Sequence, residues 1–173
     1  MTAFAVTVIG DDRPGIVAAV TSALADLGAN LEDSSMTILR GRFAMTLIAQ
    51  AAVTEAAIRA ALVPAERRLG VHTTVAEVGP ETAEAVPAGS HYLLSLHGAD
   101  RPGIVAAITG LVADCHGNIT DMTTRLAGDL YVLVCEVDLP GDVDAEQLDR
   151  DLAELAAGLG VHAFLRAAEA ELL

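Results

Sequence analysis

Displaced by 88 residues, the sequence falls on itself: Gly10 lands on Gly98. The run Asp12-Arg13-Pro14-Gly15-Ile16-Val17-Ala18-Ala19 then lands on an identical run, Asp100-Arg101-Pro102-Gly103-Ile104-Val105-Ala106-Ala107. Thr21, Ala25, Asp26, Asn30 and Asp33 match Thr109, Ala113, Asp114, Asn118 and Asp121, and the alignment needs no gap from Phe4 to Gln50. After a two-residue insertion, Leu69-Gly70-Val71-His72 returns as Leu159-Gly160-Val161-His162. Such self-similarity calls for two copies of one supersecondary unit rather than a single mixed core. We divide the chain into module 1 (residues 1–78), a linker (79–90) and module 2 (91–173). The linker combines Gly, Pro and acids without periodicity.

Each copy reads as strand, helix, strand, strand, helix, strand. Phe4, Val6 and Val8 alternate with smaller or polar residues, which gives a half-buried strand ending at Gly10. Pro14 suits a first helical turn, where its missing N–H would have no partner anyway. Ile16, Val17, Val20, Leu24 and Leu27 follow at helical spacing, with Gly28 as a stop. Residues 30–39 and 42–50 are extended runs on either side of Arg40-Gly41, a hairpin turn. Thr54 caps a second helix that runs to about Leu69 with Ile58, Leu62 and Leu69 on one face, and Val71 to Val78 closes the unit. In module 2 the last helix carries the stripe Leu148, Leu152, Leu155 and Leu159. The predicted fold class is α+β: two ferredoxin-like βαββαβ modules in tandem, each with two helices on one face of a four-stranded antiparallel sheet. Units this small have modest cores, so the bare sheet face or an edge strand calls for a cover from the sister module or another chain.

The strand-to-helix loop, Gly10 to Gly15 and its twin Gly98 to Gly103, carries the most chemistry. A glycine at the second helical position leaves backbone uncovered, and the N–H groups of Gly15 and Ile16, or of Gly103 and Ile104, sit at the positive end of the helix dipole. That environment suits a carboxylate. Asp12 and Asp100 can hold an ammonium, and Asn30 and Asn118, which open the next strand, offer both a donor and an acceptor. The set complements a zwitterion. Asp-x-Pro-Gly is also good helix-start chemistry in its own right, with Asp12 as cap and Pro14 fixing φ. A cap does not require Arg13 and Arg101, however, and both copies keep them.

The D-R-P-G-I-V loop, its apolar helix and the G-A-N-L or G-N-I strand entry resemble the ACT domain, a small-molecule regulatory module of amino-acid metabolism. Two such modules and nothing else resemble the glycine cleavage system transcriptional repressor family. The resemblance covers about residues 3–78 and 91–168. It implies amino-acid binding between the first loop of one module and the second-strand entry of a neighbour. The ligand-binding residues it points to are Asp12, Arg13, Gly15, Ile16 and Asn30, with Asp100, Arg101, Gly103, Ile104 and Asn118 in the twin. Asp11 becomes Ala99, Ile9 becomes His97 and Glu32 becomes Thr120, so the two sites differ in ligand or one is vestigial. The partners it implies are an amino acid such as glycine or serine, a protein (a transcription regulator or a metabolic enzyme) and further copies of the chain. Enzymes that begin with such modules add catalytic domains, for which this chain has no room.

Composition narrows the rest. There are 24 acids against 10 bases, a net charge of −14, and aromatic residues make up only 3%. Such a surface repels a phosphate backbone and lacks a base-stacking platform, so no direct nucleic-acid contact is expected. No run of ~20 apolar residues spans a bilayer and no leader precedes the first strand, which points to no membrane contact and to the cytoplasm. Cys115 and Cys135 read as reduced core thiols. Cys115 and His116 are neighbours that would point in different directions on a helix, and no nucleophile elbow, P-loop or Rossmann glycine pattern exists, so no catalytic residue is assigned. His91 and His97 fall on one face of a strand six residues apart, too sparse for zinc. His72 and His162 recur at equivalent positions as surface residues, and His116 sits near a helix end, where the dipole explains it. No metal or cofactor is assigned.

Overall fold

The computed structural model describes residues 1–79 and 90–168. Most of the expected linker, residues 80–89, and the last five residues of module 2 lie outside them. The chain divides into two compact units between its fourth and fifth strands. Module 1 runs β1 (Thr2–Asp11), α1 (Ile16–Ala25), β2 (Asn30–Leu39), β3 (Arg42–Ala51), α2 (Glu55–Leu69) and β4 (Val71–Val78). Module 2 runs β5 (Ser90–Ala99), α3 (Ile104–Asp114), β6 (Asn118–Ala127), β7 (Leu130–Leu139), α4 (Ala145–Leu159) and β8 (Val161–Ala167). The sheets are antiparallel, ordered β2-β3-β1-β4 and β6-β7-β5-β8. The tandem ferredoxin-like α+β fold is as expected.

Strand alternation builds each core on one side of its sheet. Phe4, Val6 and Val8 of β1 and Phe43, Met45 and Leu47 of β3 are buried against Ile16, Val20 and Leu24 of α1 and Ile58 and Leu62 of α2. The same layers recur in module 2, with Leu94, Leu96, Ile108, Leu133, Leu148 and Leu152. In α2 and α4 the third core position goes to an alanine, Ala65 and Ala156, while Leu69, Leu155 and Leu159 are only partly buried. Val17, expected on the core face of α1, is 39% exposed. The opposite sheet face carries Ile9 in module 1, and Leu93, Val134 and Phe164 in module 2, all exposed.

The second helix of each module is tied at both ends. Thr54 caps α2 by accepting the Ala57 N–H at 3.3 Å, and Asp144 caps α4 by accepting that of Gln147 at 3.0 Å. The outer strand is then fastened to this helix by different means in the two modules. In module 1, Arg59 donates to the Val75 carbonyl, while Glu66 accepts the Thr73 N–H at 2.9 Å and its hydroxyl at 2.8 Å. In module 2, Asp149 accepts the Leu165 N–H at 2.7 Å. Because β4 and β8 are edge strands, these bonds fill backbone positions that no neighbouring strand reaches.

Candidate functional site

Gly10 and Gly98 bring the end of the first strand of each module against its last strand. A Cβ on Gly10 would stand 2.9 Å from Val71 Cγ1, and one on Gly98 would stand 2.6 Å from Val161 Cγ1 and 2.8 Å from its Cα. Only glycine allows that approach. The loop then leaves the sheet. In module 1 its base is pinned by the Asp12 N–H, which donates to the Gly41 carbonyl at 2.9 Å, and by an ion pair between Asp11 and Arg42.

The helix start differs from the sequence expectation. Pro14 lies in the turn before the helix, not in its first turn, and Gly15 is the N-cap residue rather than part of the helix. Gly15 and Gly103 have φ of 92° and 91°, in the left-handed region that an L side chain enters only with strain. Neither helix start has a side-chain cap, so the capping role considered for Asp12 is not used. The Ala19 and Ala107 N–H groups bond to the carbonyls of Gly15 and Gly103 at 2.9 Å. The N–H groups of Ile16 and Val17, and of Ile104 and Val105, precede these bonds at the positive end of the dipole. Nothing lies within 4 Å of where a Cβ on Gly15 or Gly103 would stand, so the backbone there is open. From Gly15 a surface groove of about 680 Å³ runs between α1 and α2, lined by Ala18, Ala19, Ser22, Ala61 and Arg68.

Asp12, Arg13 and Gly15 thus share one loop with the start of α1, as do Asp100, Arg101 and Gly103 with α3. The asparagines do not join them within a module. Asn30 pairs with Gln50, which pairs with Ala3, whereas the loop departs after Asp11 at the far end of β1. Eight residues of strand separate the two levels, roughly 26 Å. Asn118 stands equally far from its own loop, level with Asp138 and His91. The asparagine neighbourhoods also differ in ways the sequence reading missed. Gln50 donates to Glu32 at 2.8 Å beside Asn30, while His91 and Asp138 pair beside Asn118.

The two arginines are placed differently as well. The guanidinium carbon of Arg101 lies 3.4 Å from where a Cβ on Gly160 would stand, at the C-terminus of α4, a helix with no basic residue in its last turn. The last turn of α2 already carries Arg67 and Arg68, and nothing comes within 4 Å of the equivalent point on Gly70. Arg101 supplies the positive charge that the α4 end lacks, whereas the α2 end carries its own in Arg67 and Arg68.

Thiol chemistry finds no support. Burial, followed by the charge of Asp121, pushes the Cys135 thiol up to about 11, and Cys115 is a half-buried free thiol. Among the described residues no three metal-ligating side chains cluster, and no helix is long and apolar enough to cross a membrane.

Comparison with known proteins matches this chain twice to one family model, that of the ACT domain, over residues 2–76 and 90–165. The UPF0237 protein of Methanopyrus kandleri is 47% identical over 78 residues, which cover 43% of this chain and 87% of that protein. The UPF0237 protein of Pyrobaculum aerophilum is 40% identical over 70 residues, covering 40% and 78% respectively. Among solved structures, an unknown protein from Galdieria sulphuraria superposes with a TM-score of 0.80 at 29% identity, covering 96% of this chain and 98% of that one. A putative glycine cleavage system transcriptional repressor superposes with a TM-score of 0.73 at 16% identity, over 96% and 97%, a likeness of fold.

Proposed function

This chain belongs to the ACT-domain family, and from that premise we propose that it is a non-enzymatic regulatory protein that senses an amino acid such as glycine or serine. The observation that carries the reading is the open, uncapped, left-handed backbone at Gly15 and Gly103. The ligand carboxylate is received by the N–H groups at Gly15 and Ile16, or Gly103 and Ile104, with Arg13 beside them in module 1 while Arg101 lies on the α4 end; Asp12 or Asp100 takes the ammonium. Asn30 and Asn118 lie too far from their own loops to contribute there. Occupancy is passed on by contact with a protein partner, a transcription regulator in this reading, because a ligand shifts an equilibrium only by favouring one arrangement. Two ACT matches account for most of the chain, which favours regulation over catalysis. The acidic surface suits protein contact better than DNA contact.

A thermal-shift screen against the proteinogenic amino acids tests this. At 100 times Kd a ligand adds about 2.7 kcal/mol of stability, a clear rise in Tm. Gly15→Asn and Gly103→Asn together should remove the response, since asparagine tolerates the left-handed region and its side chain would cover the N–H groups. If no amino acid shifts the wild-type transition, the reading fails. Capture of the partner from native lysate separates its two forms: a DNA-binding regulator supports it, and a metabolic enzyme makes the chain a regulatory subunit instead.

A further inference from the structure

The sequence pairs His97 with His91, along one strand, and that spacing holds no metal. The sheet order pairs it differently. His97 of β5 stands directly opposite His162 of β8 in the antiparallel register. Their neighbours in sequence, Leu96, Val161 and Ala163, face the core, so both imidazoles project from the open side of the sheet, and both residues are exposed. The ring centroids are 5.3 Å apart. Two imidazoles that each give one nitrogen to a tetrahedral ion at ~2.0 to 2.1 Å place their centroids roughly 5 Å apart, which is the spacing observed. Among the described residues neither ring takes part in a hydrogen bond, so no ring nitrogen is occupied by a protein partner. Phe164, 5.9 Å from the His97 ring and nearly parallel to it, flanks the pair on the same strand as His162.

We propose that His97 and His162 form a two-ligand surface site for a divalent transition-metal ion such as zinc, nickel or copper, with water completing the coordination. Neutral imidazole suits these ions, and the chain's net charge of −14 raises the local concentration of cations. His97 immediately precedes Gly98, where the ligand loop of module 2 departs, so a bound ion links the root of that loop to β8. Module 1 provides a built-in control. His72 occupies the position of His162, but its cross-strand partner is Ile9.

The test is titration of the full chain, free of any histidine tag, with Zn²⁺ alone, followed by calorimetry and by histidine ring resonances. One ion should bind per chain, perturbing His97 and His162. His97→Ala and His162→Ala should each weaken binding at least tenfold, while His72→Ala should leave it unchanged. Ile9→His recreates the pair in module 1 and should raise the stoichiometry to two. The proposal is overturned if the wild type takes up no Zn²⁺, if either histidine variant binds as the wild type does, or if the ion follows His91. Failure of Ile9→His to add an ion would overturn the claim that register alone builds the site.

Discussion

Residue 59 in module 1 is an arginine and its equivalent in module 2, residue 149, is an aspartate, yet both do the same mechanical task. Each reaches from the second helix to the same point on the outer strand: Arg59 to the Val75 carbonyl, Asp149 to the Leu165 N–H. Around them the modules diverge further. Module 1 adds Glu66 on Thr73, where module 2 has the buried pair Ala156 and Ala163. At the loop, module 1 has the Asp11–Arg42 pair and nothing within 4 Å of where a Cβ on Gly70 would stand; module 2 has Ala99 opposite Leu130 and an Arg101 lying on Gly160. The requirement is therefore on the geometry of the unit, and several chemistries satisfy it. The two loops, by contrast, keep the same backbone, with glycine φ values one degree apart. What is held constant is the exposed helix start.

This contrast can be broken or sharpened in four ways, each read separately for the two modules by hydrogen exchange at the amides of β1 and β5. The largest effect is expected from Gly98→Ala, because the added carbon meets Val161 backbone at 2.8 Å; about 3 kcal/mol of module 2 stability should be lost. Gly10→Ala, with contacts of 2.9 Å and beyond, should cost module 1 less, about 2 kcal/mol. Equal losses would mean that the two strand crossings are equally tight.

Asp149→Ala leaves the Leu165 N–H without a partner and should cost about 2 kcal/mol. Arg59→Ala should cost about 1 kcal/mol, since Glu66 still holds β4 at Thr73. The reverse order would show that Arg59 is the main fastening of module 1.

A pH series isolates Glu66. Its carboxyl is held below its ordinary value of 4.5 by the Thr73 hydroxyl first and the Thr73 N–H second. A depressed folded-state value means that the stabilisation is complete above 4.5 and is lost as the pH falls through the lower, folded value. Module 1 should therefore weaken in acid by an amount that Glu66→Gln removes, and module 2, with Ala156 there, should show no such component. Acid curves for module 1 that are the same with and without Glu66 would rule this out.

The smallest effect belongs to the arginines. Arg101→Ala should lower module 2 stability by about 0.5 kcal/mol through loss of a cation at the α4 C-terminus, and Arg13→Ala should leave module 1 unchanged. Matching losses would return the two arginines to one role.

Much of this architecture could be read from residues. The repeat, the hairpin at Arg40-Gly41, the Thr54 cap and the alternation along β1 are local signals, and local signals survive folding. The start of α1 is not legible in the sequence because Pro14 favours a first helical turn and a turn before it almost equally; the left-handed φ of Gly15 decides between them and leaves no mark in the sequence. Periodicity favours the leucines near the helix ends over Ala65 and Ala156, because it weighs size and not depth. Asn30 and the loop both flank α1 in sequence, whereas β2 runs parallel to β1 with β3 between them, which puts the start of one at the far end from the exit of the other. His97 and His162 met for a similar reason: only the order β7-β5-β8 makes neighbours of the module's first and last strands.

The reversed fastenings at residues 59 and 149 have a consequence for how the chain reaches its native state. Two units of the same fold on one polypeptide invite a helix of one to close on the outer strand of the other while both are forming, a hazard of duplicated folds. In such a mispaired state Arg59 would meet Leu165 and Asp149 would meet Val75, so neither side chain would have the backbone partner it holds in the native module. A crossed closure forfeits the Arg59–Val75 and Asp149–Leu165 bonds, and with them two of the ties that hold β4 and β8 in place.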